Sequence, residues 1–525
     1  MLLNGGILSG VGNVTGNITQ NGGEIAPGNS IGNLTINGNL TVNRGAFEFE
    51  INPSGASDRI TIVGAGHTAN LTAGVLQVVA QPGTYAPNTR YTIVSAPAGG
   101  IANFGSLTGS VGLLTPTLSY DANNLYLSLL LPPGAFSAAG QTTNQRAVGG
   151  ALDAIAGGGD PGGLVTAVAN LDPQQAPAAL QALSPEAYAG FGTANVRAGQ
   201  LFMNAVGQRL ASGRGPVATG GGSVALAEPC VAAWDAGADA PAPAPLRAWI
   251  SGLGGAGSVP GDGNASGLTY NFGGTAVGLD YRLDPRFLVG LAAGYAHGTQ
   301  WTGGFQGNGT SDTFSAALYG SYTEGRFHAD ALAGYAHADN RLTRPVSIPG
   351  LAPQAATGRT GADQFLGQLE TGYGFGVYAP AQATLTPFAR LQVASVSQAG
   401  FTESGASLFD LAVAPQTTTS VRGTLGVDLA GAIEVGARAP LALRLRLGWM
   451  HEYADTGRPV TAAFAGAPTG AFTVLGAAPP RDSALVGLSA SLAVSQSISL
   501  YLGYDGELGG GADNHALTAG LSIVW

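Results

Sequence analysis

From Leu246 onward, apolar residues alternate with small or charged ones, and this period of two limits the fold more than any other feature. The clearest segment runs from Leu441 to Trp449, where odd-numbered residues are apolar and even-numbered ones are Ala, Arg, Arg and Gly. Successive side chains of a β-strand point to opposite faces, so the segment predicts a strand with one apolar and one small or charged face.

Twelve segments show this alternation, and a tilted strand needs only about 9–11 residues to cross a membrane. A soluble sandwich is the alternative, but it buries its apolar faces against one another and seldom reserves the second face for Gly and Ala. Open edges in hydrocarbon leave backbone groups unpaired, so strands that span a membrane must close into a ring. We expect the long loops of this ring to face outward. The predicted strands are 246–257, 269–282, 286–299, 309–323, 326–341, 360–378, 384–397, 417–431, 440–454, 482–494, 497–508 and 514–525.

Residues 1–131 predict a short right-handed parallel β-solenoid. Short apolar runs alternate with Asn-Gly and Gly-Gly pairs, which tolerate the backbone angles of tight turns. The triplets that begin at Asn17, Asn33 and Asn39 look like successive rungs of one coil, each burying its apolar face on its neighbour. The Asn-x-Thr triplets also match the glycosylation sequon, but Asn ladders and turn residues are the expected interpretation.

Residues 132–245 predict a helical and Gly/Ala/Pro-rich linker that includes a pore helix at about 185–212. Ser184-Pro185-Glu186 is a good helix start, because it offers a capping hydroxyl, a first-turn proline and an acid favoured by the helix dipole. The Ala-rich segment that follows suits a confined space, although an ordinary surface helix is the alternative. Its expected lumen-facing polar residues are Arg197, Asn204 and Arg209. The predicted fold is therefore all-β: a C-terminal 12-stranded antiparallel transmembrane β-barrel, over 246–525, with a lumenal α-helix and a preceding solenoid.

Composition excludes several classes of protein. The net charge is -10 and no lysine occurs, so no basic patch is available for nucleic acid. No apolar run has the roughly 18 residues of a membrane-spanning helix. Cys230 is the single cysteine, which excludes an internal disulfide or a cysteine-cluster metal site. The N-terminus lacks a signal-peptide pattern, so we expect the natural chain to extend upstream.

The sequence predicts no enzymatic activity and no catalytic, cofactor-binding or metal-binding residues. Only His67 of the six histidines precedes the barrel, no G-x-S-x-G elbow occurs, and a phosphate-binding loop needs a lysine. Eight charged residues are expected to face the lumen, where pairing with one another and with the helix explains them better than catalysis. They are Asp280, Glu370, Arg390, Arg422, Asp428, Arg444, Arg446 and Asp505.

The order of the regions and several barrel motifs resemble the monomeric autotransporter family (type Va secretion). The motifs include Ala248-Trp249, Gly278-Leu279-Asp280-Tyr281, Gly448-Trp449-Met450-His451-Glu452, Tyr504-Asp505-Gly506 and the terminal Trp525. The resemblance implies insertion by the barrel assembly machinery, which reads the last strand at Leu521, Ile523 and Trp525. It also implies that the passenger crosses unfolded, that the helix then occupies the lumen, and that folding of the solenoid outside biases movement outward.

The resemblance places the barrel in a bacterial outer membrane, with residues 1–131 at the cell surface. Some family members cut their passenger at an Asn-Asn pair in the helix, but Asn195 and Asn204 stand alone here, so self-cleavage is not expected. We expect a monomeric barrel whose partners are membrane lipid, the assembly machinery and a host or neighbouring-cell ligand of an adhesin-like passenger. The alternatives are a diffusion porin and the anchor of a passenger enzyme that lies outside this sequence.

Overall fold

The structure, a computed structural model, describes residues 1–96, 100–213, 246–303, 307–434, 440–495 and 497–524. They form two compact units. The first comprises Met1–Leu183, Ser347–Ala352 and Gly466–Gly470, and the second holds the remaining described residues from Ser184 onward. The division falls inside the predicted linker region, whereas the prediction placed boundaries at 131 and 245. Cys230 and Trp525 lie outside the described residues.

The first unit contains three parallel sheets, as a three-sided solenoid requires. Their orders are β1-β4-β7-β10-β13, β14-β11-β8-β5-β2 and β15-β16-β12-β9-β6-β3. β16 pairs antiparallel with both β12 and β15, which ends the parallel stack. The strands are β1 (Leu2–Leu3), β2 (Ile7–Gly10), β3 (Gly12–Thr15), β4 (Ile18–Gln20), β5 (Glu24–Pro27), β6 (Asn33–Asn37), β7 (Leu40–Val42), β8 (Gly45–Ile51), β9 (Arg59–Ile62), β10 (Ala69–Asn70), β11 (Gly74–Ala80), β12 (Arg90–Ser95), β13 (Ile101–Ala102), β14 (Ser106–Thr108), β15 (Thr115–Tyr120) and β16 (Asn124–Leu130).

The predicted solenoid rungs are confirmed in part. Ile18 lies beside Leu40 in adjacent parallel strands, so the triplets at Asn17 and Asn39 are successive rungs. The Asn17 side chain accepts a hydrogen bond from the backbone N–H of Asn39 (2.8 Å), which is an asparagine ladder. The triplet at Asn33 was wrongly placed in this column: it lies in β6, on a different side of the coil. The error arose because one turn of a three-sided coil contains three strands, which the triplet spacing alone does not separate.

Four helices follow the solenoid in the first unit, within the region predicted as a helical and Gly/Ala/Pro-rich linker. Thr142 and Gln145 form a reciprocal capping box at the start of α2, which satisfies backbone donors at that end. The helices are α1 (Ala135–Ala139), α2 (Thr143–Gly158), α3 (Leu164–Ala169) and α4 (Ala176–Ala182), and the second unit adds α5 (Ala189–Ser212). Among the described helices, none is both long and apolar enough to cross a membrane.

Asp58 is a buried carboxyl at the bend between β8 and β9, with 2% exposure. It accepts hydrogen bonds from the backbone N–H groups of Gly32 (2.8 Å) and Glu50 (2.7 Å). Its pKa is raised from 3.8 to about 6, chiefly by burial; the two hydrogen bonds oppose the rise, and the neighbouring Glu50 and Glu48 add to it.

We expect this group to make the solenoid more stable at about pH 5 than at about pH 7.5. Its folded pKa exceeds the unfolded value, so the folded state binds the proton more tightly and stability is lost as pH rises through 6. Hydrogen exchange at the Gly32 and Glu50 amides in the full chain, corrected for intrinsic rates, measures the effect. Asp58→Asn should flatten the profile. Asp121→Asn should not, because hydrogen bonds from Tyr126 and nearby backbone hold the pKa of Asp121 at about 2, below this range. A wild-type slope of the opposite sign would contradict the assignment.

The second unit is a closed antiparallel barrel of twelve strands, which confirms the prediction. Its ring order is β22-β21-β20-β19-β18-β17-β33-β32-β31-β28-β27-β24, closed by the β22–β24 pairing. The strands of this unit are β17 (Leu246–Val259), β18 (Leu268–Arg282), β19 (Phe287–Thr302), β20 (Gly307–Glu324), β21 (Phe327–Val346), β22 (Gln354–Tyr373), β23 (Phe375–Tyr378), β24 (Ala383–Gln398), β25 (Phe401–Thr402), β26 (Leu411–Val413), β27 (Gln416–Ile433), β28 (Leu441–Glu452), β29 (Pro459–Phe464), β30 (Ala467–Leu475), β31 (Asp482–Ala493), β32 (Ile498–Gly509) and β33 (Ala512–Val524).

The two ends of the barrel differ. At the short-turn end, turns such as 283–286 and 325–326 join neighbouring strands. At the long-loop end, segments 399–415 and 453–481 carry the small sheet β25-β26-β29-β30. Large apolar side chains cover the exterior: Leu291 is 57% exposed, Leu318 64% and Leu425 59%. Such exposure would be unfavourable in water, and acyl chains remove that cost.

Candidate functional site

Helix α5 occupies the barrel lumen and runs from the long-loop end to the short-turn end, as predicted for the pore helix. Near its start Gly190 lies against Gln300 and Leu268, and near its end Arg444 donates to the carbonyl of Ala211 (2.9 Å). Most of its residues are buried, because barrel wall surrounds the helix on every side. A Cβ on Gly199 would approach the Leu366 side chain to 2.6 Å, so a small residue is needed where helix and wall meet.

One ion-pair network joins the first half of α5 to the wall. Arg197 binds Glu507 (2.5 Å), and Arg422, from β27, binds the same carboxylate (3.0 Å). Arg422 also contacts Glu452 (3.4 Å), and Gln200 accepts a hydrogen bond from each arginine. Burial raises the cost of leaving any one of these charges alone, so the network fixes the helix against two sides of the lumen.

A second network holds the last turns of the helix. Arg209 pairs with Asp280, which also accepts a hydrogen bond from Tyr319, and Tyr319 in turn accepts one from Trp249. All four side chains are buried. Asp280 and Trp249 belong to motifs that carry the family resemblance in the sequence, and their common role here is to anchor α5.

The third network lies on the wall beside α5. Glu370 binds Arg390 (2.6 Å) and Arg446 (2.9 Å), and Arg446 also binds Asp428 (2.7 Å). Asn204 of the helix accepts weakly from Arg390 (3.5 Å). Arg390 and Arg446 also lie near the ring of Phe388, at 6.0 and 4.2 Å from its centroid.

All eight predicted lumen charges thus face the lumen, and each contacts another lumen group or the helix. Asp505 accepts a hydrogen bond from Gln208 (2.7 Å), and Arg444 lies 3.9 Å from Asp428. Two further lumen carboxylates, Glu452 and Glu507, were not among the predicted residues. Both continue the period of two from predicted lumen residues, Glu452 six positions after Arg446 and Glu507 two after Asp505, so extending the pattern to the strand ends would have found them.

A further buried cluster at the long-loop end was also missed. Arg344 binds Glu403 through two hydrogen bonds (2.9 and 2.6 Å), and Tyr188, just before α5, donates to the same carboxylate (2.8 Å). The Arg344 and Glu403 side chains are 1% and 0% exposed. The cluster joins the extension of β21, a long loop and the start of the helix, and no periodic sequence pattern links these three segments.

Three ligand-type side chains meet on the lumen wall. Atoms of His328, Asp330 and Glu370 lie within 4.8 Å of one another and are all buried. Both oxygens of Glu370, however, already accept from arginine guanidinium groups, whose positive charge would oppose a metal ion. We therefore assign no metal to this group.

The predicted assembly signal lies in the last strand. Leu521 pairs with Ile250, and Ile523 pairs with Ala248, so β33 closes the ring against β17. Ile523 is 38% exposed on the outer face, while Trp525 lies outside the described residues. The role of these residues in assembly stays a prediction.

A lipid-facing ring of twelve strands, filled by a charged helix that precedes the barrel in the chain, defines a translocator of the outer membrane. The autotransporter β-domain family model matches residues 248–505. The chain belongs to the autotransporter family, and its barrel exports a passenger across the outer membrane.

Comparisons with curated proteins extend beyond the barrel. The chain is 26% identical to an extracellular serine protease of Serratia marcescens, over 99% of this chain and 51% of the relative. It is 27% identical to the esterase EstA of Pseudomonas aeruginosa, over 51% of this chain and 40% of the relative. The chain thus spans about half the length of the first relative.

Solved structures give a weaker comparison that is limited to the barrel. The translocator domain of NalP from Neisseria meningitidis is 14% identical, with a TM-score of 0.44, over 54% of this chain and 89% of that one. The β-domain of the Bordetella autotransporter BrkA is 17% identical, with a TM-score of 0.40, over 54% and 100%.

The prediction that the protein is not an enzyme is wrong. Its relatives are named as an extracellular serine protease and an esterase, and both are enzymes. The prediction depended on the absence of catalytic motifs within 525 residues, which correspond to about half of the first relative. The absence of catalytic motifs from these residues says nothing about the regions of the relatives that this chain does not cover.

Proposed function

We propose that the barrel displays the β-solenoid of residues 1–131 at the cell surface, and that the whole protein exports a hydrolase passenger. The supporting observation is the path of α5. The chain enters the lumen at the long-loop end, near Tyr188 and Glu403, and reaches the short-turn end near Arg444. The lumenal segment therefore begins at the long-loop end, which we propose faces the outside.

The hydrolase assignment is supported by the serine protease of Serratia marcescens, because that likeness covers the solenoid and the helices as well as the barrel. An adhesin-like passenger stays a prediction. A diffusion porin is disfavoured because α5 occupies the lumen. Insertion by the assembly machinery through Leu521, Ile523 and Trp525 is part of the same proposal.

Surface proteolysis of intact cells that express the complete gene tests the proposal. We expect added protease to digest residues 1–183, detected by an epitope in the turn at Gly5-Gly6, while the barrel stays intact. The same epitope placed in the short turn 325–326 is the matched control and should resist until cells are permeabilised. An active-site fluorophosphonate probe then separates the passenger classes: a serine hydrolase is labelled, and an adhesin is not. Protection of the first epitope in intact cells would overturn the proposed display.

A further inference from the structure

Three strand pairs of the barrel carry the same group of side chains on the lipid-facing surface. Each group contains an aromatic residue, a histidine two positions later and an aspartate on the neighbouring strand. We call the three groups the belt: Tyr295, His297 and Asp312; Tyr335, His337 and Asp363; and Trp449, His451 and Asp482.

The geometry of the three groups is nearly the same. Each histidine faces its aspartate directly across the strand pair, with Nδ1 to Oδ1 distances of 2.9, 2.8 and 2.8 Å. The aromatic residue donates to the same oxygen, at 2.7 Å from Tyr295, 2.5 Å from Tyr335 and 3.0 Å from Trp449. The histidine and aspartate side chains are 27–62% exposed on the outer surface, so they face away from the lumen.

The belt lies at one height. His297, His337 and His451 each come ten residues after the first residue of their strand, which is Phe287, Phe327 and Leu441. Ten residues of a strand tilted by about 40° rise roughly 25 Å, which is the height of the apolar band on an outer-membrane barrel. The belt therefore lies where the apolar band ends and the headgroups of the leaflet at the long-loop end begin.

The hydrogen bonds fix which atoms face the headgroups. A carboxylate only accepts, so each Nδ1 carries the hydrogen, and the Nε2 of a neutral imidazole keeps its lone pair. The second aspartate oxygen, Oδ2, has no donor among the residues that the structure describes. With the imidazole in that neutral form, each group presents a negative charge and two electron-pair donors, an oxygen and a nitrogen, on the outer surface.

At one group, a second carboxylate adds negative charge and further oxygen atoms that could bind a cation. The Nε2 atom of His337 lies 3.8 Å from Asp339, two positions along the same strand. A related pair occurs on the last strand, where the Nε2 atom of His515 lies 3.4 Å from Asp513 and its Nδ1 contacts the hydroxyl of Tyr504 (2.8 Å). Four of the six histidines in the chain thus lie on the outer face beside an aspartate and an aromatic residue.

We propose that the belt binds divalent cations, which bridge its aspartates to phosphate-bearing lipid headgroups. Carboxylate oxygen is the preferred ligand of calcium and magnesium, and an imidazole held by a carboxylate is a metal ligand of fixed orientation. Negative carboxylates and negative phosphates at one height repel, and a shared divalent cation turns that repulsion into attachment. The belt then holds the barrel at a defined depth in the membrane.

The test uses the full chain in vesicles of phosphatidylcholine mixed with phosphatidic acid, with calcium as the probe. We expect calcium to raise the unfolding temperature of the barrel by about 5 °C or more relative to chelator. The triple variant Asp312→Asn, Asp363→Asn, Asp482→Asn should lose at least two thirds of this shift. Asparagine keeps an oxygen for the histidine and aromatic donors, so the hydrogen bonds can persist while the charge is lost.

Glu324→Gln is the matched control, because Glu324 is an exposed carboxylate on the same outer surface at the short-turn end. It should keep the full calcium shift. An equal shift in the triple variant, or in vesicles of phosphatidylcholine alone, would overturn the proposal. Both leaflets of such vesicles are alike, so this result does not depend on the direction of export proposed above.

A second measurement keeps the proposal open to refutation if the triple variant folds poorly. Terbium replaces calcium at oxygen sites and emits when a nearby tyrosine or tryptophan is excited, and Trp449 donates to Asp482 within the belt. Wild type should sensitise terbium emission, and Asp482→Asn alone should reduce it. Emission that is unchanged in Asp482→Asn would count against binding at this group.

Discussion

Replacing α5 (residues 189–212) by a flexible Gly/Ser segment of equal length is expected to raise single-channel conductance about tenfold. The helix occupies the lumen, and buried ion pairs fix it at Arg197 and Arg209. A flexible segment makes no such pairs, so water and ions regain the passage. Planar-bilayer recording of the full chain provides the measurement.

The same replacement in α2 (residues 143–158) is the control for this experiment, because it changes a helix of the first unit and leaves the lumen contents unchanged. Its conductance should equal that of the wild type. If the α5 replacement conducts no better than the α2 replacement, the helix does not seal the barrel. A porin function would then regain support.

Glu370→Gln is expected to lower the free energy of unfolding of the barrel by about 3–5 kcal/mol. The substitution keeps the size of the side chain but removes the charge that Arg390 and Arg446 share. The two guanidinium groups then lose the carboxylate that they share in a buried site, while Asp428 still contacts Arg446. Urea titration of the barrel in lipid vesicles measures the loss.

Glu324→Gln provides the comparison for the size of this effect. Glu324 pairs with Arg286 at 3.0 Å, but both side chains are more than half exposed, so water screens the pair. Its loss should cost at most about 1 kcal/mol. Equal costs for the two variants would show that the lumen network contributes no more than a surface pair.

The barrel strands could be predicted well from the sequence because the alternation that marks each strand is contained within that strand. In β28 the alternation from Leu441 to Trp449 needs no knowledge of other strands, and the predicted segment 440–454 matches Leu441–Glu452. At the long-loop end the prediction stopped too early: β21 was expected to end at 341 and continues to Val346. There the strand runs past the apolar band, so its outward residues Arg341, Thr343 and Pro345 no longer need to be apolar.

The lumen shows where local patterns stop being informative. Alternation placed Arg422 and Arg446 on the inner face, but their partners Glu507 and Glu370 lie 85 and 76 residues away along the chain. Pairing across a closed ring depends on strand order and height, which the period of two does not encode. For the same reason the cluster of Arg344, Glu403 and Tyr188 became visible only in three dimensions.

The pairing of β17 with β33 has a consequence for synthesis. The first and last strands of the barrel complete the ring together, so the barrel cannot close until the ribosome has added β33. At about 5–20 residues per second, the 280 residues that begin at Leu246 take on the order of half a minute to translate. The solenoid strands β1–β16 are therefore made before the ring can close, and the proposed export requires them to stay unfolded over that time.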